Sequence, residues 1–422
     1  MTFRVLHTSD WHLGQYFYGK SRFKEHQAFI SWLVEQVIVN QIDAVIVAGD
    51  IFDTGTPPSY ARELYFEVIA KLQKVNCQLV LLAGNHDSVA MLSEAKNLLS
   101  QMSCTVIASA NSITNDQLIE LYNNEGELGA VVCAVPFIRP RDIVVSRAGQ
   151  SAQEKQMSLQ QAIAEHYQTL FNDAKLLADG KVPIIATGHL TTVGVTSSDS
   201  VRDIYIGTLE AFNANAFPPA DYIALGHIHK SQKVAKSEHI RYCGSPIPLS
   251  FDEASQTKSV LMVEFNQAEL TQVTPITIPC FQPLVMIKTS IDELEEQINK
   301  VADNTPRINE EQTIWLDIEV NSAEYLQDLT VRIEEIISTL PIEVLLVRRA
   351  KASREKMPSN NEKVTLNELS LTDVFETRLA EEDWQTADEI ARKQRLQNLF
   401  LKVVEQVEHS DQTSKHNSGD TL

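Results

Sequence analysis

The chain is predicted to fold as a layered α/β protein with a small accessory α/β unit behind it and a pair of helices at its end. Through about residue 275, short runs rich in Val, Ile and Leu alternate with helical stretches, the signature of an α/β sheet core. The runs do not alternate apolar with polar residues, as expected of strands covered on both faces. The same strand and helix pattern restarts over 282–350, and beyond a polar stretch an apolar stripe at helical spacing marks the last helices. At 422 residues the chain exceeds the roughly 250 to 300 at which single cores stop growing, so more than one domain is expected.

Taken in order, the strands of the first region each deliver a metal-type ligand where they end. RVLHTSDWH brings Asp10 and His12, followed by the helical HQAFISWLVEQVIV. AVIVAGD ends on Asp50, and ARELYFEVIAKLQK follows as a helix. LVLLAGNHD presents Asn85, His86 and Asp87, PIIATGH ends on His189, and YIALGHIH carries His227 and His229. In α/β sheets, sites form in the crevice beyond the carboxyl ends of the strands. Convergence of these ends would therefore make a two-metal site. Imidazole, carboxylate and amide ligands without thiolate suit Mn, Fe, Zn or Mg. Two cations about 3.5 to 4 Å apart need a bridging carboxylate, and Asp50 is the natural bridge. Gly49, Gly84, Gly188 and Gly226 let the backbone turn close to the metals. The segment YCGSPIPLSFDE reads as loop and closes this region.

In the second region PLVMIKTS, TIWLDIEV and IEVLLVRR read as strands, with one helix carrying Leu294, Ile298 and Val301 and a second helix before the last strand. Ile314, Leu316, Ile318 and Val320 alternate with Trp315, Asp317 and Glu319, so one face is expected buried and the other available. Arg348, Arg349, Lys351, Arg354 and Lys356 form a basic cluster expected to be a solvated edge. Residues 351–363, with Pro358, read as a linker. Over 364–408 two helices are expected, with caps at Ser370 with Asp373 and Thr386 with Glu389 and a stripe of Leu396, Leu399, Phe400, Val403 and Val407. Such a pair has no core of its own, and its stripe is expected to bury on a partner. Residues 409–422 are expected to be disordered.

Composition sets limits on function. A hydrophobic fraction of 43% can bury a sizeable core, while a formal charge of -20 is unusual for a protein that touches nucleic acid unaided. Bound cations and a partner would have to offset it. Five cysteines without a C-x-x-C pair point to reduced thiols in the cytoplasm. The first residues lead straight into a ligand-bearing strand and no run of about 18 apolar residues follows, so neither export nor a membrane role is expected.

With these motifs in place the chain resembles the calcineurin-like metallophosphoesterases, and among them the nuclease subunits that act with an SbcC-type, SMC-like ATPase in DNA repair and recombination. The likeness runs through HTSDWHLGQ, AGDIFDTGTPPSYAR, AGNHDS, PFIRPRDI, ATGHLTTVG, RDIYIGTLEAF, ADYIALGHIH and YCGSPIPLSF. It implies a sheet core over 1–275, a capping domain over 282–350 and helices over 364–408 that bind the ATPase. It implies that Asp10, His12, Asp50 and His229 hold one metal, and that Asp50, Asn85, His189 and His227 hold the other, with Mn most expected and Mg possible in its place. His86 would be the catalytic histidine that stabilises the transition state, and Asp87 the carboxylate that orients it. The implied activity is double-strand exonuclease and single-strand or hairpin endonuclease, by a homodimer within a heterotetramer, on DNA ends and hairpins near the nucleoid. The chain has no G-x-x-x-x-G-K-[ST] of its own, which agrees with a separate ATPase. At position 53 it carries Asp where some archaeal relatives have His. His7 is expected to be a core or supporting residue.

Two rival readings differ in class. A phosphomonoesterase or cyclic-nucleotide phosphodiesterase would use the same site, but protein phosphatases of this superfamily place an arginine where Thr54 stands. A silent scaffold for the ATPase would tolerate ligand loss, and no ligand is missing.

Overall fold

The computed structural model describes residues 2–110, 114–143, 152–198, 200–201, 211–320 and 326–349. The linker, terminal helices and tail lie outside the described residues, as do Lys351, Arg354 and Lys356 and most of RDIYIGTLEAF.

The predicted α/β layering is present, and the strands make two sheets stacked face to face. In the first, the spatial order is Glu269–Thr277, Ser259–Asn266, Thr2–Thr8, Ala44–Ala48, Gln78–Leu82 and Cys104–Ile107. The last four run parallel, and Ser259–Asn266 pairs antiparallel with Thr2–Thr8. In the second, the order is Gln232–Lys233, Ile240–Tyr242, Tyr222–Gly226, Ile184–His189, Leu128–Cys133 and Leu118–Tyr122, parallel in the middle and antiparallel at both edges. Phe3, Val5, Ala44 and Ile46 of one sheet meet Val132, Ile185, Tyr222 and Ala224 of the other in a buried layer. Helices Phe23–Val39 and Ser59–Lys74 cover the outer face of the first sheet, and Ala152–Ala178 covers the second. The central strands are thus apolar on both sides for a reason: one side faces a helix and the other faces the opposite sheet.

A third sheet of Leu284–Thr289, Ile314–Val320 and Ile342–Arg349 is parallel throughout. Helices Leu294–Asn304 and Leu326–Ile337 bury Leu294, Ile298, Leu329 and Ile333 against Ile314, Leu316, Ile318 and Val320. The opposite face, expected to be available, is largely covered. Trp315 packs with Phe17, Phe251 and Leu284, and its ring stacks on Phe17 at 5.8 Å with an interplanar angle of 11°. Asp317 is fully buried and accepts from Arg348 Nε at 3.2 Å, so Arg348 is an ion-pair partner and not only a solvated edge. The reason lies in the hairpin of Tyr16–Phe17 with Lys20–Ser21, which follows His12 and supplies the covering surface. Lys20 of that hairpin pairs with Glu343. Arg22, fully buried at the end of the hairpin, binds Glu25 through two bonds of 2.5 and 2.6 Å and lies 4.9 Å above the Phe17 ring. A buried guanidinium is tolerated only when its donors are satisfied in this way.

Candidate metal centre

The site sits where strand ends from both large sheets meet. Past Thr8 and Ala48 the two chain segments continue to pair: Asp10 N donates to Gly49 O at 2.9 Å, His12 N to Asp50 O at 3.0 Å and Leu13 N to Ile51 O at 2.9 Å. Asp10, His12 and Asp50 adopt left-handed backbone, with φ of 54°, 47° and 49°, and His227 has φ of 92°. Non-glycine residues are uncommon there, and such strain gathers at functional sites. The second sheet approaches closely because Gly226 has no side chain: a Cβ there would lie 1.8 Å from Ala48 O. At Gly49, with φ of +95°, a Cβ would strike His189 Nδ1 at 2.1 Å.

This convergence brings together the predicted residues. Asp10, His12 and His229 offer ligand atoms within 4.8 Å of one another, and so do Asp50, His189 and His227. Asp50 joins the two groups, its Oδ2 lying 3.2 Å from His189 Nε2 and 3.7 Å from His12 Nε2. Asn85 Oδ1 lies 2.9 Å from His189 Nε2. His189 donates Nδ1–H to Ala48 O at 2.9 Å, which fixes its tautomer and turns Nε2 toward Asp50 and Asn85. The Nε2 atoms of His12 and His227 are buried without a hydrogen-bond partner. Buried polar atoms are nearly always satisfied, so two orphaned imidazole nitrogens beside two carboxylates point to a cation site. A nitrogen and oxygen donor set of this kind fits divalent metal.

Charge within the site is strongly perturbed. Burial opposes protonation of His189, but the Asp50 carboxylate raises its pKa to about 9. Burial likewise works to raise Asp50, and His189 overrides it, holding the carboxyl well below its usual range. His227 is driven well below 6.5 by burial and then by His189, so it is neutral.

His86 and Asp87 differ from their expected relation. The Asp87 carboxylate bonds the main chain instead of the His86 ring: it accepts from the backbone N–H groups of Gly84 at 2.8 Å, Phe52 at 2.9 Å and Ile51 at 3.1 Å. Three main-chain donors occupy its oxygens, so Asp87 braces the turn that carries Asn85 and His86. Burial, then the nearby Asp50 charge, raises the Asp87 pKa to about 6. His86 Nδ1 instead meets the carbonyl of Asp53 at 2.7 Å, the His86 backbone N–H donates to Asp50 Oδ1 at 2.9 Å, and the ring lies edge-on to His12 at 4.7 Å.

Several further residues at the site lie outside the predicted ligand set. Asp53 Oδ1 lies 3.1 Å from His12 Nδ1, a supporting role for the departure noted above. Glu253 and Lys258, both buried, lie behind His229, and Ser200 Oγ is 2.6 Å from His229 Nδ1. Arg139, within the PFIRPRDI run, reaches Asp87 O at 3.4 Å and keeps a buried Nη1 without a partner. His7 is core, paired with Tyr222 Oη at 2.9 Å. All five cysteines are free, and no helix among the described residues is long and apolar enough to cross a membrane.

The chain is similar to known proteins along most of its length. The calcineurin-like phosphoesterase family pattern matches residues 3–231, and that described as the type 5 capsule protein repressor C-terminal domain matches 280–383. The chain is 51% identical to SbcD of the nuclease SbcCD from Escherichia coli K12, covering 95% of this chain and 98% of that protein. It is 33% identical to the protein of the same name from Rhodobacter capsulatus, covering 68% of this chain and 71% of the relative. For the Bacillus subtilis protein the identity is 29%, covering 97% and 99%.

Proposed function

We propose, for a chain that belongs to the SbcD branch of the calcineurin-like phosphoesterases, that it is the nuclease subunit of a DNA-processing complex and hydrolyses phosphodiesters with two divalent cations. The observation that carries this reading is Asp50 Oδ2 between His189 and His12, one carboxylate oxygen shared by two ligand groups. Asp10, His12, Asp50 and His229 would hold one ion, and Asp50, Asn85, His189 and His227 the other, with Mn favoured over Mg by the histidine content. Ions held there would supply Lewis acidity toward the phosphoryl group and lower the pKa of water. His86, oriented by the Asp53 carbonyl, stabilises charge on the phosphoryl oxygens and passes a proton to the leaving oxygen. Asp87 acts through the turn it braces.

Thr54 stands where related phosphatases clamp a phosphate dianion with arginine, which favours diesters. Arg139, with its unpartnered Nη1, is a cation for the backbone of the substrate. Residues 1–275 form the nuclease domain and 282–350 the cap, while 364–408 bind an SbcC-type ATPase that governs access to duplex ends. Helices Ser59–Lys74 and Lys96–Ser100 expose Phe66 and Leu98, which suits a homodimer within a heterotetramer acting on DNA ends and hairpins at the nucleoid.

The test is cleavage of hairpin and blunt duplex DNA by the purified chain, with and without its ATPase. Cleavage with Mn and none with Ca is expected, since Ca prefers looser cages of oxygen ligands. Full activity after exhaustive chelation refutes the two-cation reading. Hydrolysis of phosphomonoesters without DNA cleavage refutes the nuclease.

A further inference from the structure

Behind His229 lies a buried polar cluster that belongs to no ligand motif. Glu253 is fully buried, and its two oxygens divide their work. Oε2 binds Lys258 Nζ at 2.6 Å, and Oε1 accepts from Ser198 Oγ at 2.7 Å and from Ser200 Oγ. Lys258, itself buried, donates its other bonds to Ser245 Oγ at 2.9 Å and to the carbonyl of His229 at 3.0 Å.

The proton order follows from these partners. Ser200 has one hydroxyl hydrogen, and it goes to Glu253 Oε1. Its oxygen, 2.6 Å from His229 Nδ1, is then an acceptor, so the imidazole must donate Nδ1–H to it. Glu253 Oε1 also lies 3.4 Å from Nδ1 and reinforces the same polarity. With the proton held on Nδ1, His229 keeps the Nε2 lone pair for the group it shares with Asp10 and His12. A carboxylate that fixes ligand tautomer and ring angle from behind typically changes metal affinity about 10- to 100-fold.

We infer that Glu253, acting through Ser200 and neutralised by Lys258, is a positioning residue for His229 and sets the affinity of the site that His229 shares with Asp10 and His12. Because Ser198 and Ser200 come from the segment beyond the Ile184–His189 strand, presentation of His229 depends on that segment remaining docked on Glu253. This inference rests on the two-cation reading of the site. A solely structural ion pair would instead influence folding and leave the two ions equally affected.

The experiment uses the full chain, stripped by chelation and titrated with Mn by calorimetry, in wild type, Glu253→Gln and Ser200→Ala. Wild type should take two ions. If it takes none, the two-cation reading fails before this inference is reached. Glu253→Gln should weaken one ion by roughly 10- to 100-fold and leave the other within about twofold, while Ser200→Ala should weaken the same ion by about tenfold. Ser200 is only partly buried, so its variant decides the matter if Glu253→Gln fails to fold. Affinities within about twofold of wild type for both ions in both variants, or equal losses at both ions, overturn the inference.

Discussion

Loading the site with metal should release protons, with His189 setting the steepness. Its Nδ1 is committed to the Ala48 carbonyl, so the nitrogen that titrates is Nε2, the atom a cation needs. In the metal-free protein, burial works against charge on this ring, yet Asp50 at 3.2 Å raises its pKa to about 9. The proton is therefore bound below that value and competes with the ion. With one competing proton, apparent affinity falls about tenfold for each pH unit below 9, which corresponds to about 1.4 kcal/mol per unit. Above 9 the dependence should flatten. His227, already neutral, contributes nothing. Calorimetric titration with Mn at pH 7, 8 and 9, in buffers of different ionisation enthalpy, reads both the affinity and the proton count. Constant affinity across that range with no buffer-dependent heat would refute the argument.

Other perturbations separate the roles within the site. His86→Ala should keep both ions and lose about 10² to 10³ in cleavage rate, checked by elemental analysis beside a gel assay. Asp50→Ala should lower metal occupancy itself, and two retained ions per chain would remove its bridging role. Arg139→Ala should raise KM for DNA with metal content unchanged; an unaltered KM would relegate the guanidinium to packing. Truncation after about residue 360 should leave cleavage by the isolated chain intact and abolish copurification with the ATPase, because the stripe from Leu396 to Val407 would be the contact. A stable complex in gel filtration would contradict that reading of the C-terminus.

The candidate ligands stood out in the sequence because each follows a strand with an unbroken apolar run, and such strands announce their own ends. Sequence does not say which sheet a strand joins, so the double layering, and the approach of Gly226 to Ala48, emerged only in three dimensions. The alternation of Trp315, Asp317 and Glu319 with apolar neighbours correctly separates two faces of a strand. It carries no information on what covers the polar one, and here Phe17 and Phe251 from distant segments do so. Glu253, Lys258 and Ser200 were invisible for a related reason: each is an ordinary polar residue until folding places it against His229. Asp87 adjoins His86 in sequence, yet its carboxylate turns back to the main chain, a contact that sequence order does not show.

The stack of Phe17 on Trp315 makes the short hairpin after His12 a mechanical link. One end is anchored to the third sheet through Trp315 and Glu343, and the other continues into the segment that carries His12. Arg22 stiffens its base by clamping Glu25 and the Pro248 carbonyl, leaving little slack to absorb a displacement. A displacement of the third sheet would therefore reach His12 through only a few residues of chain, pinned at Trp315 and Glu343 on one side and at Arg22 on the other.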